Sequence, residues 1–168
     1  MDGTDDDRHG VRHRDPGLTA YELTAEDVLV TCPSCQACAR VVVTTRTDEW
    51  LGSWPRRLVC PHCSLVQERP PRSGSAWGGA TDPYFGAPLW LQSPCCGGRV
   101  LWAYNERHLG VLRAHVAAKL RERPDDLGPT SMLERLPSWI TSAQHRDEVV
   151  RTIDRLQRRV PPGARTGI

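Results

Sequence analysis

The chain is organised by VTCPSC at residues 30–35 and VCPHC at residues 59–63, two C-x-x-C turns with 24 residues between Cys35 and Cys60. Each short turn, here called a knuckle, presents two sulfurs on one side of the backbone. A hairpin between the knuckles returns the second pair of sulfurs opposite the first. Two C-x-x-C pairs at this separation are typical of one tetrahedral Zn²⁺ site. The predicted zinc ligands are Cys32, Cys35, Cys60 and Cys63.

Iron is the main rival ion for this site, because a rubredoxin-type site uses the same two knuckles. Such sites usually lie in an aromatic-rich core. Phe85 and Trp77 lie outside the loop between the knuckles, whereas Trp50 and Trp54 lie inside it. The sequence therefore favours zinc, and the spacing by itself leaves iron and a set of four buried thiols open.

Runs of β-branched residues flank the knuckles and predict a small antiparallel sheet. Residues 28–30 enter the first knuckle and residues 41–45 leave it, while residues 58–59 and 65–66 do the same at the second. Such runs, broken by Cys-Pro turns, read as short strands. The predicted architecture of this part is a zinc ribbon.

Composition bounds the protein class. Hydrophobic residues make up 39% of the 168 residues, and the cysteine count of seven is odd. Four cysteines in metal-ligand spacing argue against a secreted disulfide framework and favour a reducing cytosol. The first seven residues lack the features of a signal peptide, and no run reaches the ~18 apolar residues of a membrane span. We therefore expect a soluble cytoplasmic protein with no membrane partner.

The second half reads as a β-hairpin followed by about three helices. Residues 88–92 and 99–104 look like two strands joined by a PCCGG turn. Asn105 is a plausible N-cap for a helix that continues through residue 122, and an apolar face at helical spacing predicts a last helix over residues 149–160. The expected fold class is α+β. The predicted organisation is a disordered N-terminal tail (1–24), a zinc ribbon (25–70), a linker rich in Pro, Gly and Ser (71–80), a hairpin-plus-helices domain (81–160) and a C-terminal tail (161–168).

A longer series of motifs lies in this second half. It comprises DPYFG at 82–86, PLWLQ at 88–92, CCG at 95–97, LWAYN at 101–105, HL at 108–109, KLRER at 119–123 and LPSWI at 136–140. With the knuckles, this series resembles bacterial proteins described as containing a zinc ribbon of the transcription factor IIB type. The resemblance covers roughly residues 28–159 and implies fold and metal, while leaving function open. One departure is that many ribbons place Gly after the second cysteine of a knuckle, where this chain has Gln36 and Ser64.

Three cysteines remain outside the knuckles. Cys95 and Cys96 are adjacent, so they chelate one ion less readily than a C-x-x-C pair, and a turn packed by small side chains is the simplest reading. The functional hypothesis is that Cys95 or Cys96, together with Cys38 and His108, forms a second metal site or provides a reactive thiol. A cysteine at a helix N-terminus would have a lowered pKa.

The C-terminal third is mildly basic, with 12 basic and 8 acidic residues over positions 105–168. Arginine supplies 21 of the 22 basic residues, which suits phosphate recognition and equally suits a genome rich in G and C. The candidate nucleic-acid contacts are Arg146, Arg151, Arg155, Arg158 and Arg159.

Three functions fit these features: a zinc-stabilised module that binds nucleic acid, a module that docks a larger protein partner, and a thiol- or metal-dependent enzyme using Cys95 and Cys96. No phosphate-binding glycine loop, Ser-His-Asp order or metalloprotease helix appears in the sequence. No small-molecule cofactor is apparent. The sequence therefore favours non-enzymatic binding, with nucleic acid slightly ahead of protein.

Overall fold

The protein is described here by a computed structural model over residues 12–69, 77–122 and 131–164. In chain order, the strands are β1 (Arg12–Arg14), β2 (Val28–Thr31), β3 (Cys38–Val43), β4 (Arg56–Val59), β5 (Val66–Arg69), β6 (Leu91–Cys95), β7 (Arg99–Ala103) and β8 (Leu120–Glu122). The α-helices are α1 (Ala20–Thr24), α2 (Glu106–Ala117), α3 (Ser138–Thr141) and α4 (Arg146–Arg158). Single turns of 3-10 helix lie at Leu51–Ser53, Met132–Arg135 and Ala143–His145. This architecture confirms the predicted α+β class.

The first half is a four-stranded antiparallel sheet in the order β2-β3-β4-β5. The register pairs Val30 with Ala39, Val41 with Leu58 and Val59 with Val66. Because the chain reverses at every strand, the β2–β3 and β4–β5 turns leave the sheet at the same end. Both knuckles therefore meet at that end, and the loop over residues 44–55 lies at the other.

The second half packs the β6–β7 hairpin against α2 and α4. Asn105 caps α2 as predicted, since its side-chain oxygen accepts from the backbone N–H of His108 at 3.0 Å. Arg113 of α2 and Asp154 of α4 form an ion pair at 2.7 Å. The core between these elements contains the buried side chains of Leu91, Leu101, Leu109, Leu112, Val149, Ile153 and Leu156.

The two halves share a hydrogen-bonded edge and a core. The N–H of Thr31 donates to the carbonyl of Pro88 at 2.8 Å, and the N–H of Trp90 donates to the carbonyl of Leu29 at 3.0 Å. Leu89 and Tyr104 of the second half are buried with the valines of the sheet. The free edge of β2 is thus covered by the chain that follows the ribbon.

The predicted disorder of the N-terminal tail is wrong for residues 12–24. Thr19 and Glu22 form a capping box at the start of α1, and Leu23 is fully buried. Asp15 accepts a hydrogen bond from the Ser131 hydroxyl at 2.6 Å. A capping box needs only a Thr-x-x-Glu spacing, which is present in the sequence and outweighs the polar composition there. Residues 1–11 lie outside the described part of the chain.

The helix predicted to continue through residue 122 ends at Ala117. Ala118 is extended, with ψ of 134°, and residues 120–122 pair in parallel with residues 12–14. A pairing between segments so far apart in sequence overrides local helix propensity. Residues 71–76 of the predicted linker and residues 165–168 of the predicted C-terminal tail lie outside the described residues. Trp77, also in the predicted linker, packs edge-on against Tyr21 and Tyr84. No helix in the described ranges is long and apolar enough to cross a membrane.

Candidate metal centre

The four knuckle sulfurs converge at one end of the ribbon sheet. The Sγ atoms of Cys32 and Cys63 lie 3.7 Å apart, and those of Cys35 and Cys60 lie 3.6 Å apart. All four Sγ atoms lie within 4.8 Å of one another. The two knuckles thus cross-pair, with each sulfur of one knuckle facing a sulfur of the other.

These separations fit a tetrahedral thiolate site. With Zn–S bonds of about 2.3 Å, the sulfurs of a regular tetrahedron are about 3.8 Å apart. The two measured distances lie within about 0.2 Å of that edge. Cys32 and Cys60 are buried and Cys63 is exposed, so one side of the group rests on the core and the other faces outward. The four-cysteine group can therefore hold one metal ion.

The same backbone pattern positions both knuckles. In the first, the N–H of Gln36 donates to the carbonyl of Cys32 at 3.0 Å, and in the second the N–H of Ser64 donates to the carbonyl of Cys60 at 2.9 Å. The residue after each second cysteine takes a left-handed conformation, with φ of 63° at Gln36 and 61° at Ser64. Gly usually fills such positions because it lacks a Cβ. The two turns therefore have the same shape despite the missing glycines.

The sulfurs influence one another's ionisation. Burial opposes ionisation of Cys32, but hydrogen bonds from the backbone N–H groups of Cys35 and Ser34 and from neighbouring sulfurs outweigh it and lower its pKa to about 7. At Cys35 the N–H of Ala37 lowers the pKa, yet burial and the other three sulfurs raise it to about 12. A bound cation would supply the positive charge that lets all four groups be thiolates.

The second predicted group, Cys38, Cys95, Cys96 and His108, is not assembled as expected. Cys95 and Cys96 lie together, and their third neighbour is Glu148 of α4; these three donors lie within 4.8 Å of one another. Cys38 lies on β3, where burial raises its pKa to about 11.

His108 has a different role from the one predicted. It is buried, its Nδ1 accepts from the N–H of Tyr104 at 3.2 Å, and burial lowers its pKa to about 3. It therefore joins the end of β7 to α2. Nothing in the sequence marks Glu148 as a neighbour of the vicinal cysteines, because the contact joins positions more than fifty residues apart.

The candidate arginines fall mainly on the solvent side of α4. Arg151, Arg155, Arg158 and Arg159 are exposed, and Arg146 is half-buried. Arg151, Arg155 and Arg158 follow one another at i, i+4 and i+7, which places them on one helix face. Arg159 instead stacks on Trp90, with the guanidinium 4.9 Å from the ring centroid, and donates to the carbonyl of Gln92.

The DPYFG motif serves the fold. The buried carboxylate of Asp82 accepts from the N–H groups of Tyr84, Phe85 and Ala87 at 2.7–2.9 Å. Arg56 lies over the ring of Tyr84 at 3.7 Å and donates to the carbonyl of Thr24. An Asp before Pro is a typical start for such a turn, which is the signal that sequence reasoning could have used.

No family model, curated protein or solved structure matches this chain. The zinc-ribbon-like character of the site therefore rests on the four sulfurs and the antiparallel sheet that carries them. The likeness to bacterial proteins with a transcription factor IIB type ribbon stays an expectation from sequence motifs.

Proposed function

We propose that this protein is a non-enzymatic binding module, held together by one Zn²⁺ on Cys32, Cys35, Cys60 and Cys63, that associates with nucleic acid. The observation that carries the zinc assignment is the convergence of the four sulfurs within 4.8 Å of one another, with two separations, 3.6 and 3.7 Å, near the edge of a zinc–thiolate tetrahedron. Four thiolates complete the coordination of Zn²⁺ and leave no position for a substrate or water, which is the mark of a structural site.

The arginine face of α4 supports the nucleic-acid assignment. Two of the three acidic residues of the same helix are engaged elsewhere: Glu148 accepts from the N–H of Cys96, and Asp154 pairs with Arg113. Exposed guanidinium groups on one face can contact successive phosphates through their planar forks.

A shallow depression adjoins this face. It has a volume of about 470 Å³ and is lined by Arg146, Asp147, Val150 and Arg151 of α4 and by Ala117 at the end of α2. Arg146 and Arg151 bring positive charge to its rim, and Asp147 offsets part of it. A shallow surface of mixed charge suits contact with the sugar-phosphate backbone of a nucleic acid better than selective binding of a small molecule.

The test is fluorescence anisotropy with labelled single- and double-stranded DNA and RNA over a series of salt concentrations. We expect binding that weakens with salt, and the triple variant R151Q/R155Q/R158Q should flatten the salt slope by about three. The matched control R40Q/R46Q/R57Q removes the same charge from the ribbon and should leave the slope unchanged. The nucleic-acid assignment is contradicted if none of the four probes binds at low salt. It is also contradicted if the two triple variants reduce the salt slope equally.

A protein partner is the second candidate, and one observation favours it. Within the described residues β5 is an edge of the ribbon sheet, and Val66 on it is 57% exposed. An exposed strand edge can accept a further strand from a partner. A stoichiometric partner that co-purifies after nuclease treatment, with no nucleic-acid binding by the purified protein, would favour this function over the first.

A further inference from the structure

The vicinal cysteines at the β6–β7 turn place both sulfurs on one side of the chain. Their Sγ atoms lie 2.7 Å apart, and the residues are 4% and 2% exposed. Successive side chains along a strand point to opposite faces, so this placement requires a departure from strand geometry. Cys96 provides it with a φ of 52°, in the left-handed region.

This conformation is costly for cysteine. A left-handed backbone brings the Cβ of an L-residue too close to the following carbonyl oxygen. Gly97 and Gly98 follow directly, also with positive φ, and a Cβ at either would meet nothing within 4 Å. A strained non-glycine residue beside two unstrained glycines is the kind of outlier from which a functional role can be inferred.

Helix α4 holds the pair in place. The hydroxyl of Thr152 lies 3.7 Å from the Cys95 sulfur and donates to it, and Glu148 accepts from the N–H of Cys96 at 2.6 Å. Gly97 and Gly98 are exposed, so the buried sulfurs lie directly beneath a turn that faces solvent.

The sulfur spacing separates this pair from a zinc site. At the ribbon the paired sulfurs are 3.6 and 3.7 Å apart, near the edge of a zinc tetrahedron. At the vicinal pair the separation of 2.7 Å is about 1.1 Å too short for two thiolates on one zinc ion. Glu148 is the third donor of this group, which has no fourth among the described residues.

We propose that Cys95 and Cys96 are a reversible dithiol–disulfide site oxidised by a small peroxide. Burial raises the pKa of the Cys96 thiol to about 12, so Cys95 is the attacking residue. The Cys95 thiol gives up its proton and attacks a peroxide oxygen, the O–O bond breaks, and the departing hydroxide takes up that proton, so that a sulfenic acid and water form. The second thiol then attacks the sulfenic sulfur, the S–O bond breaks and a second water leaves. The pair gives up two electrons and two protons to hydrogen peroxide, and a dithiol reductant reverses the change.

Reversibility follows from the neighbouring positions. The described peptide bonds include no cis bond, so the two Cα atoms are about 3.8 Å apart. Disulfides usually span Cα separations of about 4.4–6.8 Å, and a departure from this range makes the bond easier to reduce. The bridge therefore behaves as a switch. Because Thr152 and Glu148 belong to α4, oxidation alters the contact between the turn and the helix that carries the arginine face.

The test treats the metal-loaded protein with hydrogen peroxide, alkylates the remaining thiols and analyses tryptic peptides by mass spectrometry. Trypsin releases residues 73–99 as one peptide whose only cysteines are Cys95 and Cys96. We expect this peptide to lose two hydrogens, to resist alkylation and to recover both properties after treatment with dithiothreitol.

Two variants control the result. Cys96→Gly suits the left-handed position, keeps the turn and leaves Cys95 as a single thiol that cannot form the bridge. Cys38→Ser removes the other cysteine outside the knuckles and should leave the bridge unaffected. The proposal is overturned if the folded protein keeps both thiols alkylatable after peroxide, or if the bridge forms only in denaturant. It is also overturned if the C95S/C96S variant loses a second equivalent of metal, since that identifies the pair as a metal site.

Discussion

Gln36 and Ser64 each complete a knuckle turn in a backbone conformation that is sterically unfavourable for them. Both take the left-handed conformation that Gly adopts without a steric penalty, and both donate the N–H that closes the turn. The sequence predicted the four cysteine ligands and showed that glycine is absent after each knuckle. It did not predict that the backbone would keep the glycine conformation, because that outcome depends on the strands on either side of each turn.

Replacing these residues by glycine should stabilise the metal-loaded protein. Gln36→Gly and Ser64→Gly should each raise the free energy of unfolding by up to about 1 kcal/mol, since relief of the left-handed strain exceeds the added chain entropy. The measurement is chemical denaturation at a fixed concentration of zinc. Ser34→Gly is the control within the same knuckle, at a position without positive φ, and should lower stability. A loss of stability in all three variants contradicts the strain argument.

Secondary-structure elements whose ends and faces depend on neighbouring residues were predicted correctly from the sequence. The Asn105 cap, the hairpin and α4 follow from spacing and capping chemistry, and each is present. The β1–β8 pairing was missed because it joins three-residue strands over a hundred positions apart. The place of His108 was missed for a related reason: its burial depends on how the hairpin meets α2.

His108 makes stability depend on pH. Its pKa is lowered to about 3 in the folded protein by burial, while in the unfolded chain it is about 6.5. The unfolded chain therefore binds more protons between these values, and stability falls as pH falls through that window. Between pH 7 and pH 5 this single group should cost about 2 kcal/mol.

The matched comparison is His108→Gln, which keeps a side-chain acceptor and cannot titrate. The difference in free energy of unfolding between this variant and the wild type should shift by about 2 kcal/mol in favour of the variant on acidification from pH 7 to pH 5. Using the difference cancels the protonation of the knuckle thiolates, which both proteins share. A pH-independent difference would show that His108 is accessible to protons in the fold.

At the scale of the molecule, the ribbon is joined to the second half through β2. The sequence suggested separate parts divided by a polar linker, whereas residues 88–90 bond to β2 and Leu89 shares the ribbon core. A run such as PLWLQ signals a strand but does not identify its neighbour, so this junction could not be read from the pattern. Thr31, which donates to Pro88, directly precedes Cys32, so this junction adjoins the first knuckle, while β5 lies at the opposite edge of the sheet.

We expect a divalent ion to hold the β2–β5 sheet together. Hydrogen exchange measured by mass spectrometry, with the metal content of the same samples, tests it directly before and after chelation under reducing conditions. The purified protein should hold one equivalent of zinc; chelation should abolish amide protection across residues 28–69, and added zinc should restore it. Cys60→Ser should reproduce the chelated state and Cys38→Ser should not. Unchanged protection of residues 28–69 after complete removal of the metal would show that the sheet is stable without the ion.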